Sequence, residues 1–436
     1  MNKHTQLIVF LILICISSSA QIPNPSLIGY WQNWNDPNAP YIPLDQIDSR
    51  YNVVNISFAV PQAGTDYHME FLPDQVNQAT LTSQIQYLQA QGRIVNISIG
   101  GAGPLISLDN ISERDTFIST MNSIINTYGF DGIDIDLEGN SVSVSGGTIS
   151  NPGDAKILNL IYAIKQIMSD YYSLNQKRLF LSMAPETAFV QGGMSAYGGI
   201  WGAYLPIIEA LRDSIEILHV QLYNSGSMYG IDGNVYAQGT ADFIVAMAEA
   251  AIQGFNTSAG MFSGLPASKI AIGLPACLMA AGGGFTDTSI VKSALNYLMG
   301  RTPQPGSYSL SQTGGYPDLR GMMTWSINWD EVNSCGSSYQ FADNFENIFY
   351  QTTHTKNPES QASDFRIYPN PATDIIHLEY KRKNKPVFSY WIYNYLGESL
   401  RSGTLGVSHN SIDISKFAAG IYTIQIENET INFIKE

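Results

Sequence analysis

Asp131-Gly132-Ile133-Asp134-Ile135-Asp136-Leu137-Glu138 is the most informative stretch of this chain. A β-strand places residues i, i+2 and i+4 on one face. Asp134, Asp136 and Glu138 therefore share a face, while Ile133, Ile135 and Leu137 point the other way into a packed layer. Carboxylates set side by side in a semi-buried site cannot all ionise, so such a strand needs a shared proton or a nearby cation. The same crowding raises the pKa of the outermost member, Glu138, and suits it to act as an acid near neutral pH. An exposed edge strand with acids facing water is the plainer alternative; Gly132 and the apolar flank argue against it.

The rest of the chain supplies the setting. It has 436 residues, room for one large domain and a small one. The net charge of -15 argues against nucleic acid as a partner. Residues 1–363 hold 14 Lys+Arg and 29 Asp+Glu, whereas 364–436 hold 8 of each, so the acidic excess lies in the first part and two modules are expected. An acidic, aromatic-rich surface suits a neutral polymer such as a polysaccharide. Residues 1–20 read as a secretory signal peptide: Lys3, an apolar run from Leu7 to Ile16, then Ser17-Ser18-Ser19-Ala20. That run is too short to cross a bilayer, and no other stretch is apolar enough to do so. Ile14 before Cys15, where a small residue is expected, argues against lipidation. Cys277 and Cys335 then remain, either as a disulfide or as two separate buried thiols.

Strand-like runs occur at Leu27–Trp31, Val53–Val60, Arg93–Ile99, Gly132–Leu137, Leu179–Ala184, Ile215–Tyr223, Ile270–Leu274 and Met322–Ile327. Helical stretches such as Leu81–Ala90, Ser112–Tyr128 and Ala155–Tyr172 lie between them. Eight strands, each followed by a connection long enough for a helix, predict an α/β fold, a (β/α)8 TIM barrel over residues 25–351. Active sites in that fold lie at the C-terminal ends of the strands, which is where Glu138 falls.

The octet resembles the D-G-x-D-x-D-x-E motif on the fourth strand of glycoside hydrolase family 18, the chitinases and their relatives. Other strand ends match in order: Gly29-Tyr30-Trp31, Ser98-Ile99-Gly100-Gly101, Met183-Ala184-Pro185-Glu186, Gln221-Leu222-Tyr223-Asn224, Gly273-Leu274-Pro275-Ala276 and Met323 to Asp330. The stretch from Ala276 to Gly321 leaves no room for the α/β insertion domain of some members, which implies a more open cleft.

The resemblance implies a retaining, substrate-assisted mechanism, an exception to the usual two-carboxylate scheme. Glu138 protonates the leaving oxygen, and the substrate's 2-acetamido carbonyl attacks the anomeric carbon. Asp136 orients the acetamido N–H and stabilises the oxazolinium ion, Asp134 shares a proton with Asp136, and Asp131 supports the strand end. Tyr223 donates to the acetamido oxygen, and Trp325 floors the sugar pocket. Tyr30 and Ser98 hold the inner aspartates from below; Gln221, Asn224 and Met183 line the pocket, and Gly101 is placed with the substrate-binding residues. Each of these also has a plain reading as a core aromatic or a satisfied polar group. Trp34, Trp201 and Trp329 extend the sugar platform or serve barrel packing. No metal or cofactor is implied: His4, His68, His219, His354, His377 and His409 lack ligand spacing, and His219 reads as a core residue. Gly282–Gly284 is a loop signal with no following lysine, not a phosphate site.

Residues 352–364 read as a polar linker and 365–436 as a small β-sandwich. Strands are expected at Ile375–Tyr380, Phe388–Tyr395 and Ile421–Ile426, with turns at Gly397 and Gly420. Phe365 to Pro371 with its Tyr368-Pro369-Asn370-Pro371, Tyr395-Leu396-Gly397 and Gly420-Ile421-Tyr422 resemble the C-terminal sorting domain of the type IX secretion system. A carbohydrate-binding module is the alternative, but Trp391 is its only tryptophan. The expected protein is a monomeric chitinase, exported through the periplasm and outer membrane, then released or attached at the cell surface. Its expected partners are chitin or N-acetylglucosamine-containing glycans and the type IX machinery. The rival readings are an endo-β-N-acetylglucosaminidase acting on N-glycans and a non-catalytic chitin-binding lectin.

Overall fold

The computed structural model describes residues 23–332, 336–350, 365–380, 387–394, 398–406, 410–426 and 429–436. The signal segment with Cys15, Cys335, the 352–364 linker, Tyr395-Leu396-Gly397, and His4, His354 and His409 lie outside the described residues. The chain divides into two compact units, Met1–Gln351 and Thr352–Glu436.

The larger unit is an eight-stranded parallel barrel. Its strands are β1 (Ser26–Gln32), β2 (Val53–Pro61), β3 (Ile94–Gly101), β4 (Gly132–Leu137), β5 (Phe180–Met183), β6 (Ile217–Leu218), β7 (Ala271–Pro275) and β8 (Gly321–Trp325). They pair in the order β7-β8-β1-β2-β3-β4-β5-β6, and bridges from Leu218 to Ile270 and from Gln221 to Gly273 bring β6 back to β7. First and last strands meet in register, Ser26 opposite Gly321.

Strand alternation sorts the side chains into two layers. Ile28, Tyr30, Val53, Phe180, Ile217 and Met323 fill the barrel interior. Leu27, Trp31, Ile133, Ile135 and Leu137 point outward into the core shared with the helices. Those helices are α1 (Gln78–Ala90), α2 (Ile111–Tyr128), α3 (Ala155–Asn175), α4 (Leu205–Leu211), α5 (Ala241–Gln253), α6 (Thr288–Leu298), α7 (Ile327–Glu331) and α8 (Gln340–Phe349). On α3, Ile157, Leu160, Ile161, Ile164, Ile167 and Tyr171 recur every three to four residues and form its buried stripe. Each such aliphatic contributes about 1.5–3 kcal/mol relative to exposure. Asn77, Asn110 and Thr240 cap α1, α2 and α5 by accepting from Thr80, Glu113 and Phe243 N–H groups.

The structure departs from the expected pattern at two elements. The connection from β1 to β2 holds only a 3-10 turn, Leu44–Gln46. The sixth strand, expected over Ile215–Tyr223, is regular only at Ile217–Leu218. Beyond it the chain stays extended through single bonds: His219 N–H to Met183 C=O (2.9 Å), Gln221 N–H to Pro185 C=O (2.9 Å) and Leu222 N–H to Gly273 C=O (2.9 Å).

The smaller unit has two antiparallel sheets. One comprises β9 (Phe365–Tyr368), β10 (Ile375–Tyr380) and β13 (Ser411–Asp413); the other runs β12-β11-β14-β15, from β11 (Val387–Tyr393), β12 (Ser399–Gly406), β14 (Gly420–Ile426) and β15 (Glu429–Lys435). Ile376, Leu378, Ile392, Leu405, Ile424 and Phe433 from both sheets share one apolar core, which makes the unit a sandwich. Among the described residues no helix is long and apolar enough to cross a membrane.

Candidate active site

β4 is flanked by β3 and β5, and the register sets inward residues beside one another: Ser98 opposite Asp134, and Asp134 opposite Ser182. Asp134 is fully buried and surrounded by donors. Tyr30 Oη donates to its Oδ2 at 2.6 Å, Ser98 Oγ to Oδ2 at 2.7 Å and Ser182 Oγ to Oδ1 at 2.6 Å. His219 Nε2 stands 3.3 Å from Oδ1. Burial alone would raise the Asp134 pKa, but His219, Ser182 and Tyr30 together hold it below the usual range, so Asp134 is the ionised member of the row.

Asp136, one step up, is pushed the other way. Burial raises its pKa well above the usual range, and the charges of Glu138, Asp134 and Glu186 add to this; the Gln221 amide opposes it. Glu138, at the mouth, is raised to about 7 by burial and by the charge of Glu186, again against Gln221. Gln221 Nε2 links the pair, donating to Asp136 Oδ1 at 2.7 Å and reaching Glu138 Oε1 at 3.4 Å, while also meeting the Ala184 carbonyl at 2.9 Å. The end of β4 thus holds an ionised carboxylate, a proton-holding carboxyl and, immediately past the strand, an acid poised near neutrality.

These groups open into a cleft of about 350 Å³, lined among others by Trp34, Phe58, Asp136, Glu138, Tyr223 and Trp325. Phe58 stacks on Trp325 (centroids 5.8 Å apart, planes 13° apart), and Trp34 stacks on Phe58 (6.4 Å, 29°). This is an apolar wall suited to the C–H face of a sugar ring. Tyr223 is buried, and burial followed by the Asp136 and Glu138 charges raises its pKa well above the usual value, so its phenol stays a donor. Gly100 and Gly101 are required by fit: at positive φ, a Cβ on Gly100 would lie 2.3 Å from the Asp136 carbonyl oxygen, and one on Gly101 would lie 2.9 Å from the Phe58 ring. Asn224, with φ of 53°, is fixed by the loop after β7, since Gly283 N–H donates to its Oδ1 (3.1 Å) and its own N–H to the Gly283 carbonyl (3.1 Å).

The structure brings Asp136, Glu138, Gln221, Tyr223, Asn224, Trp325 and Gly101 to the cleft. Four others lie outside its lining. Tyr30 and Ser98 are buried beneath the cleft and hold Asp134 from below. Met183 faces outward into the helix-side core, because alternation turns Ser182, not Met183, toward Asp134. Asp131 sits at the opposite end of β4, where it accepts from Val95 N–H (3.0 Å) and Gln89 Nε2 (3.0 Å), and is a strand-end support only. Of the three further tryptophans, Trp34 lines the cleft, Trp329 is buried, and Trp201 lies against Gly192 outside the cleft lining.

Sequence reasoning missed four residues. Ser182 was findable from strand parity. Phe58 and Tyr204 carry no local signal: Phe58 sits within an ordinary apolar run and Tyr204 in the segment after β5, while Glu186 closes the fifth-strand match without any sign there that its charge acts on Glu138. Cys277, behind Trp325 with Ala39 and Trp329, is disulfide-bonded.

Residues 26–359 match glycosyl hydrolases family 18, and residues 366–436 match a secretion system C-terminal sorting domain. The chain is 46% identical over 326 residues to Chitinase Chi52 of Paenibacillus xylanexedens, covering 73% of this chain and 61% of that protein. It is 34% identical over 431 residues to Chitinase ChiA of Flavobacterium johnsoniae, covering 92% of this chain and 26% of that one. The chain thus spans 61% and 26% of the length of these two relatives. Among solved structures, a family 18 chitinase from Chromobacterium violaceum superposes with a TM-score of 0.67 at 35% identity, covering 76% of this chain and 85% of that one.

Proposed function

The chain belongs to glycosyl hydrolases family 18, and on that premise we propose that it is a chitinase, cleaving β-1,4 bonds between N-acetylglucosamine units with the substrate's own acetamido oxygen as nucleophile. The observation that carries this reading is the placement of the acids. Among the described residues lining the cleft, the only carboxyls are Asp136 and Glu138, two apart on one strand and therefore on one side of any bound bond. A retaining glycosidase with its own nucleophile needs a second carboxyl across the bond. This placement supports an attacking group supplied by the sugar.

In this mechanism Glu138, protonated near neutrality, gives its proton to the leaving oxygen as the acetamido carbonyl attacks the anomeric carbon. Asp136 accepts the acetamido N–H through its carboxyl oxygen, and the aspartate pair, which carries one negative charge, faces the developing oxazolinium ion. Tyr223 donates to the acetamido oxygen and aligns it for attack. Trp325 supports the sugar, with Phe58 and Trp34 extending the wall, and Asn224 and Gly101 bound the same pocket. Asp134, held by Tyr30, Ser98 and Ser182, anchors the row, with Asp131 fixing the strand's far end.

The sorting domain marks the chain for secretion. The proposal extends to a leader at residues 1–20, a linker at 352–364, recognition by the type IX machinery, and a working state as a monomer, which light scattering would check. The decisive experiment gives the purified chain chitin hexamer and, separately, a high-mannose glycoprotein. Shorter N-acetylglucosamine oligomers from the first support the proposal. Glycan release from the second alone makes it an endo-β-N-acetylglucosaminidase, and binding without products makes it a lectin.

A further inference from the structure

His219 is a buried titratable side chain that the mechanism above leaves unused. It follows β6 and is fully buried together with Asp134, its Nε2 3.3 Å from Asp134 Oδ1. Its ring meets Tyr30 edge-on, centroids 6.1 Å apart at 85°. Its backbone N–H donates to the Met183 carbonyl at 2.9 Å, which fixes the side chain across the barrel interior. Ile28, Ile217 and Met323 pack in the same interior layer, where an aliphatic side chain would do equally well. An imidazole in such a place loses hydration without gain unless a polar group answers it. Neither ring nitrogen makes a well-aligned hydrogen bond among the described residues. The close polar approach is the one to Asp134.

We propose that His219 is a positioning residue for the catalytic acids: by presenting its Nε2–H to Asp134, it keeps that carboxylate ionised and confines the single proton of the aspartate pair to Asp136. Asp134 then has partners on both oxygens, Tyr30 and Ser98 on Oδ2, Ser182 and the imidazole on Oδ1. Asp136 has the Gln221 amide and lies between two other carboxyls. The remaining titratable groups around the row are Tyr30 from β1, Glu138 just past β4, Glu186 after β5, Tyr204 before α4, and Tyr223 on the segment of His219 itself. Burial keeps the three tyrosines neutral. Glu138 and Glu186 both oppose ionisation of Asp136. His219 acts at the other end of the row, as the group that separates the two aspartates' protonation states.

The inference rests on the substrate-assisted reading of this site. The test compares His219→Leu, which removes the donor, with His219→Gln, whose amide Nε2 retains one. In His219→Leu, ionised Asp134 loses a partner, so the acidic limb of kcat/KM on chitin oligomers moves up by about one pH unit. On that limb this is a loss of about 10-fold. The basic limb, set by Glu138, stays where it was, and His219→Gln returns the acidic limb toward the parent value. A folded His219→Leu with an unmoved acidic limb overturns the inference. A second measurement does not need activity. Infrared titration follows the carboxylic-acid band that appears as Asp134 takes up its proton, assigned by its loss in Asp134→Asn. In His219→Leu the band appears about one pH unit higher. Appearance at the parent pH refutes the role of His219 even if chitin is cleaved. A shifted band in a chain that leaves chitin intact removes the proposed function and retains the inference.

Discussion

Tyr204 holds Leu137 by both backbone groups: its hydroxyl accepts from the Leu137 N–H at 2.7 Å and donates to the Leu137 carbonyl at 3.0 Å. β5 ends at Met183, and the last ladder contact on that side of β4 is Ala184 N–H to the Ile135 carbonyl at 3.0 Å. Past that point a phenol takes the place of a strand. The backbone it secures is the residue immediately before Glu138.

Tyr204→Phe should therefore destabilise the barrel and loosen its acid together. Leaving buried backbone groups unpaired costs about 1–3 kcal/mol. Thermal unfolding should show that loss, and kcat should fall more than KM rises. An unchanged melting temperature would mean that water or another donor takes over the hydroxyl's place.

Glu138→Gln keeps the shape of the side chain and removes its proton. Turnover should fall at least about 100-fold, the scale of general acid catalysis, while chitin oligomers still bind. Near-parent turnover in a folded variant would move the acid to another residue.

The pH profile should turn down above neutrality. Glu138 is raised to about 7, and the donor is its protonated form, so kcat/KM should be held below that pH and decline above it. The charge of Glu186 contributes to this position after burial itself. Glu186→Gln removes that charge, eases ionisation of Glu138, and should move the basic limb to lower pH by up to about one unit. A limb that stays put would remove Glu186 from the electrostatics of the site.

If the nucleophile belongs to the sugar, the unit just before the cleaved bond must be acetylated. Chitosan segments without acetyl groups there should resist cleavage. Two inversions in succession give retention, so the first product seen by proton NMR should be the β-anomer. An α-anomer, or cleavage after glucosamine, would require a protein nucleophile or an activated water.

The sequence made the catalytic row legible because alternation in a strand is strict. Asp134, Asp136 and Glu138 could not share a face with Ile133, Ile135 and Leu137, and they do not. The same rule, left unapplied on the neighbouring strand, accounts for an error: Met183 and Ser182 are adjacent, so only one faces inward, and the register with Asp134 selects Ser182. Asp131 lies at the far end of the strand and supports it there by accepting from the Val95 N–H. The sixth strand looked regular because its residues alternate, yet most of its pairing is through isolated bridges. Tyr204 was invisible, and the effect of Glu186 unreadable although it closes the fifth-strand match, because a segment that folds back over a strand end leaves no periodic trace.

The pairing of Ser26 with Gly321 makes the cleft depend on both ends of the barrel sequence. β4 carries the acids and β8 carries the indole that supports the sugar, and the ring joining them closes only when the earliest strand finds the latest. A chain still lacking its final barrel strand has a proton donor and no seat for the substrate.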